Sequence, residues 1–308
     1  MNAVIVEGAN LRRAEDPAAS KLQVLVVGAG LMGAQIGVEY ALGGHDVALY
    51  ARDASAVAER VKRAEAAASD FELAGPDEIE AAAARLRITT APEEIEHADL
   101  VVESLPEDLD LKRDVLGPLA ARFADATLAS NTSSLRISDL GSAIAAAERT
   151  LGTHYWNPPL LMPLVELVPG ADTEPDRVDR IEALLRALGK RPVRVLDVPG
   201  FAWNRLQFAL LREALWLVRN EVATAEDVEE IVRSGLARRW RLTGPFASVA
   251  LGGPSTFERV ADNLFPLLSA AGHAGDLTRF GVAGEEAERI RAFRDRGLAT
   301  ELRRDEGR

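Results

Sequence analysis

Apolar residues run almost unbroken through LQVLVVG, from Leu22 to Gly28, which predicts a strand buried on both faces. From Leu31 to Leu42 the apolar positions take helical spacing, and Gly43-Gly44 ends that run before DVALY restores strand character. Strand, glycine turn, helix and strand make a βαβ unit. The pattern next predicts helices over 53–71, 76–85, 109–123 and 175–188. Short strands are predicted over 86–89, 99–103, 127–130, 150–155, 164–168 and 193–196. Such alternation points to an α/β fold with a Rossmann-type doubly wound sheet. At DVPGFAWNR the pattern changes: 201–218, 225–234, 254–271 and 285–302 all read as helices. The expected organisation is a flexible N-terminal extension over 1–20, an α/β domain over 21–198 and an all-α C-terminal domain over 199–308.

The bulk numbers narrow the function classes. With 308 residues, 47% hydrophobic and 27% charged, the chain can bury two cores. No apolar run approaches the ~20 residues that span a bilayer, and the N-terminus lacks the basic-then-apolar pattern of a secretory signal. A net charge of −12 argues against a nucleic-acid or anionic-membrane partner. The absence of cysteine removes disulfides, thiolate catalysis and thiolate metal sites, and fits a cytoplasmic setting. No two histidines fall at ligand spacing, so no metal is expected.

Gly28-Ala29-Gly30-Leu31-Met32-Gly33 fits G-x-G-x-x-G, and its place between strand and helix gives the pattern meaning. The first glycine serves the tight turn, the second admits a pyrophosphate and the third lets helix and sheet approach. The helix N-terminus, with Leu31 and Met32 in its first turn, then faces the phosphates. A dinucleotide site of this kind normally has an acid after the second strand for the ribose 2′-hydroxyl. That strand runs into Ala51, Arg52 and Asp53. If Ala51 holds the acid's place, Arg52 suits a 2′-phosphate and the cofactor is NADP(H). If Asp53 reaches the ribose, it is NAD(H). Asp53 also reads as the N-cap of the following helix.

Among four histidines, His154 alone has a suitable context for acid/base chemistry. His45 lies in a turn, His97 at a charged helix end and His273 in a glycine-flanked loop. Glu166 follows in the next predicted strand, where a return strand brings it beside His154 and lets it fix the imidazole tautomer. Ser133, after a strand end, and Asn204, at the start of the helical part, are residue types that hold a substrate oxygen, although each taken singly reads more readily as a helix cap.

VLVVGAGLMG, VVESLPEDLDLK, ASNTSSL, GTHYWNPP, PLVELVPG, VPGFAWNRL and TGPF occur in an order that resembles the 3-hydroxyacyl-CoA dehydrogenase family. The resemblance covers most of residues 22–250. It implies a catalytic histidine at His154, its glutamate at Glu166, a serine at Ser133 and an asparagine at Asn204. It puts Glu107 and Lys112 near the cofactor ribose and nicotinamide. It also implies a cofactor-binding α/β domain, a helical substrate and dimerisation domain, and a homodimer. The family's usual aspartate after the second strand matches Ala51, which again points to NADP(H). CoA-using members carry a serine and lysines in the following helix, where this chain reads AEAAASDFELAG with no lysine. The helical part is similar to the subgroup of L-gulonate 3-dehydrogenase (lambda-crystallin) and carnitine dehydrogenase, and to polyketide-pathway ketoreductases. The implied substrate is a small or carrier-bound β-keto/β-hydroxy compound. A non-catalytic crystallin-like relative is the competing expectation.

Overall fold

The computed structural model describes residues 21–275 and 277–306. The expected extension over 1–20 lies outside them. Eight strands form one sheet in the order β3-β2-β1-β4-β5-β6-β7-β8. They are β1 Gln23–Val27, β2 Asp46–Tyr50, β3 Leu86–Thr89, β4 Leu100–Glu103, β5 Thr127–Ser130, β6 Thr150–Tyr155, β7 Leu164–Pro169 and β8 Arg191–Arg194. All pairs are parallel except β6 with β7. Helices α1 Leu31–Leu42, α2 Ala54–Asp70, α3 Pro76–Ala83, α4 Leu109–Arg122, α5 Ile137–Ala143 and α6 Pro175–Ala187 connect them.

Strand alternation builds the two faces. Val24 and Val26 of β1 face one core with Ile36 and Val38 of α1, Val57 of α2 and Ile181 of α6. Leu25 and Val27 face the other, with Leu116 and Leu119 of α4 and Leu140 of α5. Between β1 and β4 the strand order reverses, so the loops after these two strands lie side by side. That crevice is where open α/β sheets bind ligands.

Described by itself, the helical unit spans Trp203–Ala283. It holds α7 Trp203–Arg219, then α8 Ala225–Glu230, which continues through a π-helical stretch Ile231–Ala237 into α9 Arg238–Trp240. Helices α10 Pro245–Gly252 and α11 Pro254–Leu264 follow.

The last helix, α12 Gly284–Glu306, groups with the sheet unit and so divides the span expected as one helical domain over 199–308. Ala299 and Leu302 are buried, and Arg303 donates to the Phe71 carbonyl at 3.0 Å, at the C-terminus of α2. The same guanidinium lies 3.2 Å from Glu72, and Arg191 lies 3.4 Å from Asp305. A cation on the last carbonyls of a helix is a favourable anchor. Two further boundaries moved. Strand β8 sits two residues earlier than expected, because the edge register pairs Leu164 with Arg191 and leaves Leu196 exposed. Helix α7 begins after Phe201, whose φ of 48° is incompatible with a right-handed helix.

Candidate active site

The glycine turn closes against the loop after β4. Gly28 has φ 92°, and a Cβ there would lie 2.6 Å from the Ser104 carbonyl oxygen. A Cβ on Gly33 would lie 2.2 Å from the Gly28 carbonyl oxygen, so only glycine lets α1 seat on the turn. A Cβ on Gly30, by contrast, would meet nothing within 4 Å, since this backbone borders a groove of about 700 Å³. Leu31, Met32, Arg52, Asp53, Arg60, Glu107, Asn131 and Ser133 line the same groove. A bare backbone facing open space at the N-terminus of a twelve-residue helix fits a dinucleotide pyrophosphate.

At the end of β2 the side chains have unequal freedom. Asp53 caps α2: its Oδ1 accepts from the Ala56 amide at 3.1 Å and the Ser55 hydroxyl at 2.7 Å. These bonds outweigh the small effect of burial and lower its carboxyl below the ordinary value. Ala51 offers no polar group. Arg52 is exposed and lines the groove.

Beneath the serine loop lies a buried ionic network. Lys112 is fully buried on α4, with its ammonium 2.8 Å from both oxygens of Glu103 and 3.1 Å from Glu107 Oε2. Glu103, at the end of β4, also accepts from the Leu105 amide and the Ser130 hydroxyl, each at 2.5 Å. Glu107 Oε1 accepts from the Thr132 hydroxyl at 2.6 Å and from the Ser133 and Ser134 amides at 2.7 Å. Partial burial would raise the Glu107 carboxyl, but these bonds and the Lys112 ammonium prevail and hold it at about 2. Glu107 is therefore the anion around which the NTSSL loop folds.

His154 and Glu166 are directly opposite each other in the antiparallel β6–β7 pair. Side chains so placed share one face. His154 Nδ1 lies 2.8 Å from Glu166 Oε2, and both residues are buried. Glu166 Oε1 accepts from the Ala202 amide at 3.0 Å. The imidazole packs against Trp156, with centroids 4.5 Å apart, and meets the edge of Phe201 at 5.5 Å. Asn131 ties this pair to the groove: it lines the groove, and its Oδ1 accepts from the amide of Tyr155, the residue after His154. His45, in contrast, is a structural histidine, accepting from the Leu22 amide at 3.2 Å, with its imidazole lowered by burial.

Residues 23–198 match the NAD-binding domain of 3-hydroxyacyl-CoA dehydrogenase and residues 200–279 its C-terminal domain. The chain belongs to the 3-hydroxyacyl-CoA dehydrogenase family. It is 38% identical over 253 residues to the L-carnitine dehydrogenase of Streptomyces griseus, covering 80% of this chain and 75% of that one. It is 32% identical over 262 residues to the lambda-crystallin of Oryctolagus cuniculus, covering 81% of each. A solved 5-formyl-3-hydroxy-2-methylpyridine 4-carboxylic acid 5-dehydrogenase, described as an NAD+-dependent dismutase, superposes with a TM-score of 0.85. The two are 30% identical, over 94% of this chain and all of that one. As a member of this family of oxidoreductases the chain carries a nicotinamide-cofactor domain.

The structure gathers Gly28, Gly30, Leu31, Met32, Arg52, Glu107 and Ser133 around one groove, with Gly33 packed beneath it. Lys112 does not itself line the groove; its ammonium is turned to Glu103 and to Glu107, which does. Asn204 stands in the first turn of α7, in the helical unit. Sequence reasoning missed Glu103, Asn131, Phe201 and Arg60. Glu103 had a legible signal, a lone acid ending an apolar strand, which demands a buried partner. Among the described residues no cluster of three metal-ligating side chains occurs, and no helix is long and apolar enough to cross a membrane.

Proposed function

We propose that the chain interconverts a 3-hydroxy and a 3-keto group, with His154 and Glu166 as the acid/base pair. The buried 2.8 Å contact between them, joined to the groove through Asn131, carries this reading. Glu166 is already fixed by the Ala202 amide, so it accepts from Nδ1–H and leaves Nε2 to face the substrate oxygen. In oxidation Nε2 takes the hydroxyl proton as hydride leaves the β-carbon; in reduction it returns that proton to the carbonyl oxygen. The nicotinamide ring, when bound, supplies the hydride acceptor or donor. Glu166 stabilises the imidazolium that forms. Ser133, its amide held by Glu107, and Asn204, on the family resemblance, hold the developing alkoxide.

NADP(H) is the favoured cofactor, because Ala51 has no side-chain carboxylate for a ribose hydroxyl and Arg52 brings an exposed guanidinium to the groove. NAD(H) is the alternative, supported by the relative described as NAD+-dependent. The stretch AEAAASDFELAG, which has no lysine where CoA-using members carry theirs, disfavours a CoA nucleotide. A ketoreductase of a biosynthetic pathway, acting on a carrier-bound or cyclic β-ketone, is therefore the leading substrate class. Carnitine- or gulonate-like hydroxyacids are the second. A cytoplasmic homodimer is the setting of this reading.

The test is turnover with NADPH and NADH against acetoacetyl-CoA, an acyl-carrier mimic, L-gulonate, L-carnitine and a bicyclic β-ketone. At least one β-keto or β-hydroxy substrate turns over, and His154→Gln lowers kcat about 10²–10⁴-fold with unchanged cofactor affinity. Parent-like turnover by His154→Gln overturns the mechanism. Cofactor binding with no turnover on any substrate favours the crystallin-like reading.

A further inference from the structure

The groove holds a second arginine that the fold's usual fingerprint does not include. Arg60 lies on α2, seven residues beyond the Asp53 cap. Two helical turns take about 7.2 residues, so Arg60 projects from the helix face that presents the cap. Its guanidinium reaches back to the glycine turn, where Nη1 donates to the Ala29 carbonyl at a long 3.4 Å. That single weak bond leaves most of its five N–H donors uncommitted. Arg52 enters the same groove from the β2–α2 turn. Asp53, whose charge also acts on Arg60, has Oδ1 bonded to the Ala56 amide and the Ser55 hydroxyl. Two guanidiniums from separate elements thus border a groove whose end carries no acid at the ribose-reading position.

We infer that Arg60 and Arg52 form a two-sided phosphomonoester subsite that takes the 2′-phosphate of NADP(H), with Arg60 the specificity-determining residue on the α2 side. This rests on the reading of the groove as a nicotinamide-dinucleotide site. A phosphate dianion suits paired guanidiniums through charge-assisted, bidentate bonds. A ribose 2′-hydroxyl offers neither charge nor three acceptor oxygens, so NADH gains little from either arginine.

Equilibrium titration of the full chain tests this without any substrate. NADPH and NADH are titrated against the parent, Arg60→Ala, Arg60→Lys and Arg52→Ala. 2′,5′-ADP and 3′,5′-ADP serve as competing fragments that separate a cofactor 2′-phosphate from the 3′-phosphate of CoA. The parent is expected to bind NADPH more tightly than NADH. Arg60→Ala should weaken NADPH at least about tenfold and leave NADH within about twofold, as loss of a charged hydrogen-bonding partner implies. Arg60→Lys should recover part of the loss, and 2′,5′-ADP should compete better than 3′,5′-ADP. The inference is overturned if Arg60→Ala weakens both cofactors alike or neither, or if 3′,5′-ADP competes best. A parent that prefers NADH also overturns it, while the dinucleotide site stands. If neither cofactor binds, the cofactor reading falls with it. Arg60 is exposed, so a normal melting profile will separate these outcomes from misfolding.

Discussion

Glu107 is the side chain whose charge the fold uses most visibly. Its carboxyl is held at about 2, against 4.5 for a free glutamate. A depressed acid contributes stability that is present above the unfolded value and is lost as pH falls through the folded one. That contribution is present at neutral pH and lost between about pH 4.5 and 2; because Glu107 is more than a third exposed, solvent screening cuts it well below the full shift, to on the order of 1 kcal/mol. Glu107→Gln should therefore be less stable than the parent in urea at pH 7 and should close most of that difference near pH 2. Equal losses at both pH values would show that shape, not charge, organises the loop. Lys112 makes the complementary case. Replacing it with methionine leaves Glu103 buried without its cation and should cost about 3–5 kcal/mol, read as a lower urea midpoint. At this scale the sequence showed His154 and Glu166, because two strands joined by a proline-rich loop place a pair on one face. It did not show Lys112 as buried, because LDLKRDV reads as a solvated helix face and nothing local reveals the two acids beneath it.

Among the elements, the glycine turn was readable because each glycine answers a steric demand of the chain itself. Gly33→Ala tests that demand. Its Cβ would sit 2.2 Å from the Gly28 carbonyl, so α1 must move off the turn. The expected result is a destabilisation of about 1–3 kcal/mol and a loss of NADPH affinity exceeding that of the exposed Arg60→Lys change. Parent-like binding by Gly33→Ala would mean that the turn is not the phosphate cradle. Helix α5 was not legible, and its anchor explains why. The Asp197 carboxylate, sixty residues on, accepts from the Ile137 amide at 2.8 Å, the Ser138 amide at 2.9 Å and the Ser138 hydroxyl at 2.7 Å. Phe201, four residues further, packs with Ile137 and Val168 and meets the edge of His154. A helix capped from so far along the chain leaves no local signal. The same holds for α12, whose amphipathic pattern predicts a helix but not which unit it packs against.

At the scale of the whole molecule, the helical unit carries an unusual share of exposed apolar side chains. In the helical unit Leu206, Phe208, Phe246, Leu251 and Phe265 are all more than half exposed. On α11, Phe257, Val260 and Leu264 recur at helical spacing as a partly exposed stripe. Few helical residues there are buried: Leu215 on α7 and Ser248 on α10. Apolar residues exposed in this number are what an interface would cover. A second copy of the chain is the occupant the family resemblance implies. Oligomerisation stabilises by mass action, so the melting temperature should rise with protein concentration and light scattering should give twice the chain mass of 33.1 kDa. Val260→Glu sharpens the test. At 54% exposure in the single chain, Val260 tolerates a charge there at little cost, whereas an apolar interface would have to desolvate it. The variant should therefore scatter as a monomer and lose the concentration dependence of its melting while its helical content persists. A parent that scatters as a monomer at all concentrations would sink the dimer; a dimeric Val260→Glu would move the interface off α11.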